Sequence, residues 1–218
     1  MGLPPGETIP ISAEARGKAR EFIQCAYAED RLRVVALLRA LLRDIQQRKD
    51  RHPGRRLRPE MLQDVVRRWE AGPCEFRLRF EVEWKGRNLS AIEVLISGGT
   101  VSASDWALDA AKLNLVINTT ALKVERQSTD FAKVGTTCLS FHAIGRYFQR
   151  QPDRNEPDLL RDLAVFSRIV VSPDAPEQEV RYASEGAAWL GQIMVCNIGP
   201  PGETEQRAVV FIRTWIPT

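Results

Sequence analysis

The sequence predicts an α+β fold, in which N-terminal helices precede a mostly antiparallel sheet and a histidine-bearing helix packs on that sheet. Apolar residues recur with helical spacing up to residue 73. Strict alternation of apolar and charged residues follows over 76–84, and strand-like runs fill the end of the chain. Because helices and strands are segregated along the chain, the pattern favours α+β over an alternating α/β sheet.

The first part of the chain is predicted to be helical. Residues 1–11 contain three prolines and are expected to form a flexible tail. Three helical stretches follow, with Ser12 capping the first, Pro59 starting the third, and Gly72-Pro73 ending it. The helical N-terminal region therefore spans residues 12–73.

Residues 74–218 form the predicted α+β region that contains the candidate site. Its first strand, 76–84, pairs with 89–96 as an antiparallel hairpin across a glycine-containing turn. Residues 97–100, Ser-Gly-Gly-Thr, are predicted to be a loop. Two further helices are expected at residues 104–112 and between Pro157 and Phe166. The other strands are predicted at 113–118, 122–126, 169–171, 180–182, 189–198 and 208–216.

Composition limits the classes of protein and of site. Hydrophobic residues make up 44% of the 218 residues, which is enough for a buried core. No apolar run reaches membrane-spanning length, and the N-terminus lacks the pattern of a signal peptide, so we expect a cytoplasmic protein without membrane contact. The four cysteines are scattered and the histidines number two, so no cofactor and no zinc site are predicted. A metal site made of carboxylates alone stays open.

Positive charge is concentrated in the helical region. Residues 1–73 carry a net charge of +5, and the remainder carries −2. The densest basic run, 48–58, contains Arg55, Arg56 and Arg58, which could contact the phosphates of a nucleic acid. The alternative, which we favour for such runs, is a solvated loop between two helices.

The stretch from Ser140 to Arg150 is the most informative in the chain. Ser140 is a suitable helix cap, and a buried face is predicted for Phe141, Ile144 and Phe148. The opposite face is expected to be exposed and to carry His142, Arg146, Gln149 and Arg150. A near-neutral acid–base group beside two fixed cations suits chemistry on a phosphodiester, with His142 moving the proton and Arg146 and Arg150 stabilising negative charge. The alternative is a charged helix face that only confers solubility.

Three more residues are candidates for the site. In the last strand, alternation places Val210, Ile212, Thr214 and Ile216 on one face and Val209, Phe211, Arg213 and Trp215 on the other. Thr214 could position a phosphate oxygen, and Arg213 replaces it if the other face holds the site. Glu185 could be a second proton-transfer group. The alternatives are an ordinary strand threonine and an exposed turn glutamate.

The helix motif His142-Ala143-x-x-Arg146, followed by a glycine- and tryptophan-containing strand over 186–191 and a last strand with Thr214, resembles the barnase–EndoU–colicin–RelE-like ribonuclease-toxin superfamily. The resemblance covers residues 135–218. It implies a compact α+β fold and cleavage of RNA without metal, with the 2′-hydroxyl as nucleophile and His142, Arg146 and Thr214 in the site. Residues 1–134 do not match this superfamily. Three roles stay open for them: a neutralising cap, a partner-binding arm or a divergent part of the fold.

Two functions follow from these observations. The first is a metal-independent, toxin-type ribonuclease activity of a bacterial protein, with RNA as substrate and a protein neutraliser as a possible partner. The second is a non-catalytic interaction module that binds a protein or a nucleic acid through the basic N-terminal helices, with the sheet as its scaffold.

Overall fold

The structure, a computed structural model, describes residues 10–29, 35–51, 59–71, 76–86, 88–102, 114–125, 129–169, 171, 175–184, 187–199 and 205–217. These form five α-helices, a short 3₁₀ helix and seven strands. In chain order they are α1 (Ala13–Glu29), α2 (Val35–Arg51), α3 (Pro59–Glu70), β1 (Arg77–Lys85), β2 (Asn88–Ser102), β3 (Asn114–Val124), β4 (Thr129–Leu139), α4 (Phe141–Arg150), α5 (Glu156–Leu163), the 3₁₀ helix (Ala164–Arg168), β5 (Gln178–Ser184), β6 (Ala187–Gly199) and β7 (Glu205–Pro217). None of the described helices is long and apolar enough to cross a membrane.

The strands form one mostly antiparallel sheet in the order β1-β2-β3-β4-β7-β6-β5, which confirms the predicted α+β class. Among the strand pairings of the described residues, only that of β4 with β7 is parallel. The end of β2 also pairs with the end of β6, Val101 opposite Ile198. Because β2 is linked to β6 both directly and through β3, β4 and β7, these five strands form a closed ring.

The main core lies on the face of the sheet that packs against α1, α4 and α5. Helix α1 contributes fully buried side chains to it, including Phe22, whose ring meets Phe76 edge-to-face at 5.8 Å between centroids. Ile144 of α4 and Ile212 of β7 belong to the same core. Helix α1 is thus built into the fold that carries the candidate site, although the predicted boundary at residue 73 placed it in another region.

Helices α2 and α3 pack on the opposite face, against β1 and β2, through Ile45, Trp69 and Leu89. Glu93, only 1% exposed, accepts hydrogen bonds there from the indole Nε1 of Trp69 at 3.0 Å and from Nε of Arg77 at 2.8 Å. Arg77 also donates to the carbonyl oxygen of Trp69 at 2.9 Å, which ties the end of α3 to β1. Burial raises the pKa of Glu93 in spite of these bonds.

The predicted hairpin of 76–84 and 89–96 is confirmed, with Trp84 opposite Leu89 and Gly86 in the turn at a φ of 62°. The predicted loop at 97–100 is wrong, because these residues continue β2. Gly98 pairs with Leu115 on β3, and Thr100 pairs with Gly199 on β6. Backbone hydrogen bonds to β3 and β6 keep this part of β2 extended, although its glycines have no side chains to pack.

The middle of the chain also departs from the prediction. Residues 113–118 and 122–126 were expected to form two strands, but β3 is continuous, with an irregularity at Thr119/Thr120. Strand β4, Thr129–Leu139, was not predicted at all. Residues 169 and 171, at the two ends of another predicted strand, are not in a strand. The predicted helix at 104–112 lies outside the described residues.

Candidate functional site on helix α4

Helix α4 is fixed at its first turn by Ser140. The Ser140 hydroxyl accepts a hydrogen bond from the amide of Ala143 at 3.1 Å, which confirms the predicted cap, and donates to the carbonyl of Arg213 at 3.1 Å. The backbone N–H of Ser140 donates to the carbonyl of Ile212 at 3.0 Å. The side-chain oxygen Oδ1 of Asn114 accepts a hydrogen bond from the backbone N–H of Phe141 at 3.3 Å. The first turn of α4 is therefore held by β3 and β7 through polar contacts that satisfy its amides.

The last turn of α4 is also tied to β7. Arg150, which is exposed, donates from Nη1 to the carbonyl of Trp215 at 2.7 Å. A cation at the end of a helix also interacts favourably with the helix dipole. The start of α4 is bonded to β7 at Ile212 and Arg213 through Ser140, and its end is bonded to Trp215 through Arg150. Helix α4 therefore lies along the β7 segment that carries Arg213 and Thr214.

Strand β7 contains a bulge at this segment. Ile212 pairs with Gly191 and Thr214 pairs with Leu190, so Arg213 is the extra residue. The bulge reverses the alternation of side chains, and Trp215 lies in the main core with Ile212. The predicted placement of Trp215 and Ile212 on opposite faces is therefore wrong.

A row of polar side chains runs along the side of α4 that carries His142. Arg146 donates from Nε to Nε2 of His142 at 3.3 Å and from Nη1 to Oε1 of Gln149 at 2.9 Å. Gln149 in turn donates to the carbonyl of Pro10 at 3.3 Å. These contacts link residues four and three positions apart on the helix, as the sequence spacing predicted.

The exposure of this row differs from the prediction. His142 is half-buried, and Arg146 is only 6% exposed, so the expectation of an exposed Arg146 is wrong. The chain before α1 lies against the same helix. Ile11 is buried and packs so closely on Gly145 that a Cβ there would lie 2.8 Å from Cδ1 of Ile11. Pro10 and Ile11, which were expected to belong to the flexible tail, thus cover this side of α4. Ile144 and Phe148 are buried as predicted, whereas Phe141 is half-buried.

The electrostatic environment keeps His142 neutral. Burial lowers the pKa of His142, and the positive charges of Arg146 and Arg150 lower it further. Burial and the charge of Arg150 likewise lower the pKa of Arg146. A neutral imidazole at pH 7 has one nitrogen lone pair and one N–H, so it can accept a proton or donate a hydrogen bond.

The remaining predicted site residues are placed as follows. Thr214 is half-buried and paired with Leu190 in the sheet. Arg213 is half-buried, and its guanidinium lies 3.6 Å from the carboxylate of Glu179. Helix α4 thus bonds to the backbone of β7 at Ile212, Arg213 and Trp215, whereas the bond of His142 is made within α4. Because Trp215 lies in the main core, alternation places the neighbouring Thr214 on the face of the sheet away from α4. Four predicted residues lie outside the described ones: Glu185, Arg55, Arg56 and Arg58.

Sequence reasoning missed an aromatic cluster beneath α4. The ring of Tyr147 stacks on Trp189 at 5.9 Å and meets Trp215 edge-on at 5.6 Å. The Tyr147 hydroxyl and both indole N–H groups are buried and make no hydrogen bond of good geometry within the described residues. Asp162 lies beside the Tyr147 hydroxyl. Burial raises the pKa of Tyr147, and the nearby carboxyl of Asp162 raises it further. The helical spacing from Ile144 to Tyr147 is the signal that could have identified this inward face.

Among the residues that the structure describes, no group of three or more histidine, cysteine, aspartate or glutamate side chains is arranged to hold a metal ion. Helix α4 itself offers the half-buried imidazole of His142, the buried guanidinium of Arg146 and the exposed guanidinium of Arg150. Comparisons with protein-family models, with curated proteins and with solved structures found no match for the chain.

Proposed function

We propose that the protein cleaves RNA without a metal ion at α4, with His142 as the group that moves the proton. One observation carries the proposal: a half-buried, neutral histidine is bonded to an arginine on a helix that is fixed at both ends to β7. A neutral imidazole at physiological pH can accept a proton, and the neighbouring cations suit a substrate that carries phosphate.

In the proposed reaction, the 2′-oxygen of a ribose attacks the adjacent phosphorus atom. The proton of the 2′-hydroxyl passes to Nε2 of His142, and the bond between phosphorus and the 5′-oxygen breaks. The leaving 5′-oxygen takes a proton from water or from Glu185. The products are a 2′,3′-cyclic phosphate and a 5′-hydroxyl. Arg150 is exposed and would stabilise the charge on the phosphorane.

Two further features support this proposal. The His142-Ala143-x-x-Arg146 motif on α4 and the later strands β6 and β7 carry the resemblance of residues 135–218 to the ribonuclease-toxin superfamily. The thiols of Cys138 and Cys196 are not joined in disulfides, which suits the reducing cytoplasm that we propose as the location.

The test is cleavage of a labelled RNA by the wild type and by His142→Gln. Glutamine cannot move the proton, yet its oxygen can still accept the bond from Arg146, so the fold should be retained. We expect the rate to fall by roughly a hundredfold or more, the usual contribution of a positioned acid or base. Wild-type cleavage should persist in EDTA. Arg161→Gln, at an exposed position on α5, is the control and should cleave at the wild-type rate.

Two outcomes would contradict the proposal. Equal rates for the wild type and His142→Gln would remove His142 from the mechanism. No cleavage of varied RNAs by the wild type would reject the activity itself.

A second candidate is the non-catalytic interaction module, and the burial of Arg146 favours it. A guanidinium that is 6% exposed is poorly placed to meet a substrate from solvent. In this case a nucleic acid would bind the basic N-terminal helices, of which α3 presents Arg67 and Arg68 as exposed cations.

The second candidate is tested by binding of RNA across a salt series. The variant Arg55→Ala/Arg56→Ala/Arg58→Ala should bind more weakly, and its log–log salt slope should fall by about one for each phosphate that the protein no longer neutralises. The matched control removes three exposed arginines outside the N-terminal helices, Arg161, Arg168 and Arg181. If the two triple variants bind alike, Arg55, Arg56 and Arg58 do not contact the nucleic acid.

A further inference from the structure

We infer that Arg146 is a positioning residue, which holds His142 in the tautomer with its proton on Nδ1 and occupies its acceptor nitrogen until a phosphate is bound. The inference deepens the proposed function and rests on it for the role of His142. The tautomer itself follows from the geometry of α4.

The tautomer is assigned by the hydrogen bond between the two side chains. Nε of Arg146 lies 3.3 Å from Nε2 of His142. A guanidinium nitrogen only donates, so Nε2 must supply the lone pair. A neutral imidazole carries one proton, and that proton is then on Nδ1.

Arg146 is itself held in place, which makes it suitable for this role. Its second donor, Nη1, bonds to Oε1 of Gln149 at 2.9 Å, and Gln149 is anchored to the carbonyl of Pro10 at 3.3 Å. With 6% of its surface exposed, Arg146 is largely shielded from water in the resting arrangement. A partner that fixes the tautomer and orientation of a functional histidine in this way acts through that histidine.

The tautomer determines which chemical group the resting site recognises. His142 offers an Nδ1–H, a hydrogen-bond donor, so the ligand atom that meets it must be an acceptor such as a non-bridging phosphate oxygen. The 2′-hydroxyl proton can reach Nε2 only after the bond to Arg146 breaks. A phosphate is the ligand class suited to cause this, because its oxygens carry a negative charge that the neutral imidazole lacks and so bind a guanidinium more strongly. Binding of the phosphate and release of the base would then be one event.

The test is long-range ¹H–¹⁵N NMR of the histidine rings in the full-length protein near neutral pH. The chain has two histidines, so His52→Gln leaves the signals of His142 alone. We expect a protonated Nδ1 and a bare Nε2. A ring protonated on Nε2, or on both nitrogens, would overturn the inference.

Variants separate positioning from charge. Arg146→Gln should relax the ring to a mixture of tautomers, whereas Arg150→Gln removes a nearby charge and should leave the tautomer unchanged. Should Arg146→Gln fail to fold, Gln149→Ala removes only the support of Arg146 and should broaden the tautomer distribution in the same direction. An unchanged tautomer in the folded Arg146 and Gln149 variants would show that Arg146 does not fix it.

The masking of Nε2 is tested with a 2′-O-methyl RNA oligonucleotide, which presents phosphates but lacks the nucleophile. Its addition should raise the pKa of His142, because Nε2 is released and a negative charge is introduced. If the pKa and the tautomer do not change at any concentration of the oligonucleotide, masking by Arg146 is rejected. These readouts need no cleavage, so a failure of the ribonuclease activity and a failure of this inference are distinguished.

Discussion

Replacing Gly191 with alanine tests the geometry that supports the site. Gly191 pairs with Ile212 beside the bulge in β7 to which α4 is bonded. A Cβ at position 191 would lie 2.2 Å from the carbonyl oxygen of Phe211, which is 1.2 Å closer than the 3.4 Å at which ordinary contact begins. It would also lie 2.9 Å from Cα of Ile212. All of these atoms are backbone, so no side-chain rotation relieves the overlap, and β6 and β7 must move apart.

The expected loss of stability is about 3 kcal/mol or more. Overpacking costs about 1 to 3 kcal/mol, and each ladder hydrogen bond that breaks as the strands separate adds about 1 kcal/mol. Urea unfolding followed by tryptophan fluorescence measures it. Gly17→Ala is the matched control, because no atom lies within 4 Å of its Cβ on α1. Alanine should stabilise that helix by roughly 0.5 to 1 kcal/mol. If the free energy of unfolding of Gly191→Ala lies within about 0.5 kcal/mol of the wild-type value, the close approach of β6 and β7 is refuted.

Three further predictions concern stability and pH. Ser140→Ala should lower the free energy of unfolding by about 1 to 2 kcal/mol in urea titrations, because the α4 cap is removed and the carbonyl of Arg213 loses a donor; an unchanged value would show that the cap is not needed. Burial raises the pKa of Glu93, so the folded protein keeps a proton that the unfolded chain has released; wild-type stability should fall as pH rises from the usual value of 4.5 to the folded pKa, and Glu93→Gln should lack this fall at the same pH values. The pKa of His142 is lowered, so wild-type stability should fall as pH drops from 6.5 to the folded pKa, and His142→Gln should not show this component.

Much of the fold could be predicted where the signal was local. The helix starts were predicted from Ser12, Pro59 and Ser140, and β1 was predicted from its alternation. Both kinds of signal depend only on neighbouring residues in the chain. Strand β4 was missed because it buries Thr136 and Thr137 and lacks apolar alternation. The length of β2 was missed because β6, a hundred residues away, provides part of its pairing.

The candidate site could be predicted in part for the same reason. The helix spacing brought His142, Arg146 and Gln149 into one bonded row. The contacts of Pro10 and Ile11 with α4 could not be predicted, because these residues come from the other end of the chain. The side on which Trp215 lies depends on one extra residue in the β7 ladder, and nothing in the alternation of the last strand indicates this bulge.

The proposed function requires that His142 accepts the proton of a ribose 2′-hydroxyl as the 2′-oxygen attacks phosphorus. The most direct measurement uses a labelled DNA oligonucleotide that contains a single ribonucleotide, incubated with the protein in EDTA, followed by analysis of the ends. We expect one cut, on the 3′ side of the ribonucleotide, that leaves a 2′,3′-cyclic phosphate and is abolished in His142→Gln. Cuts at deoxynucleotides, a product with a 3′-hydroxyl, or the same cut made equally fast by His142→Gln would contradict it.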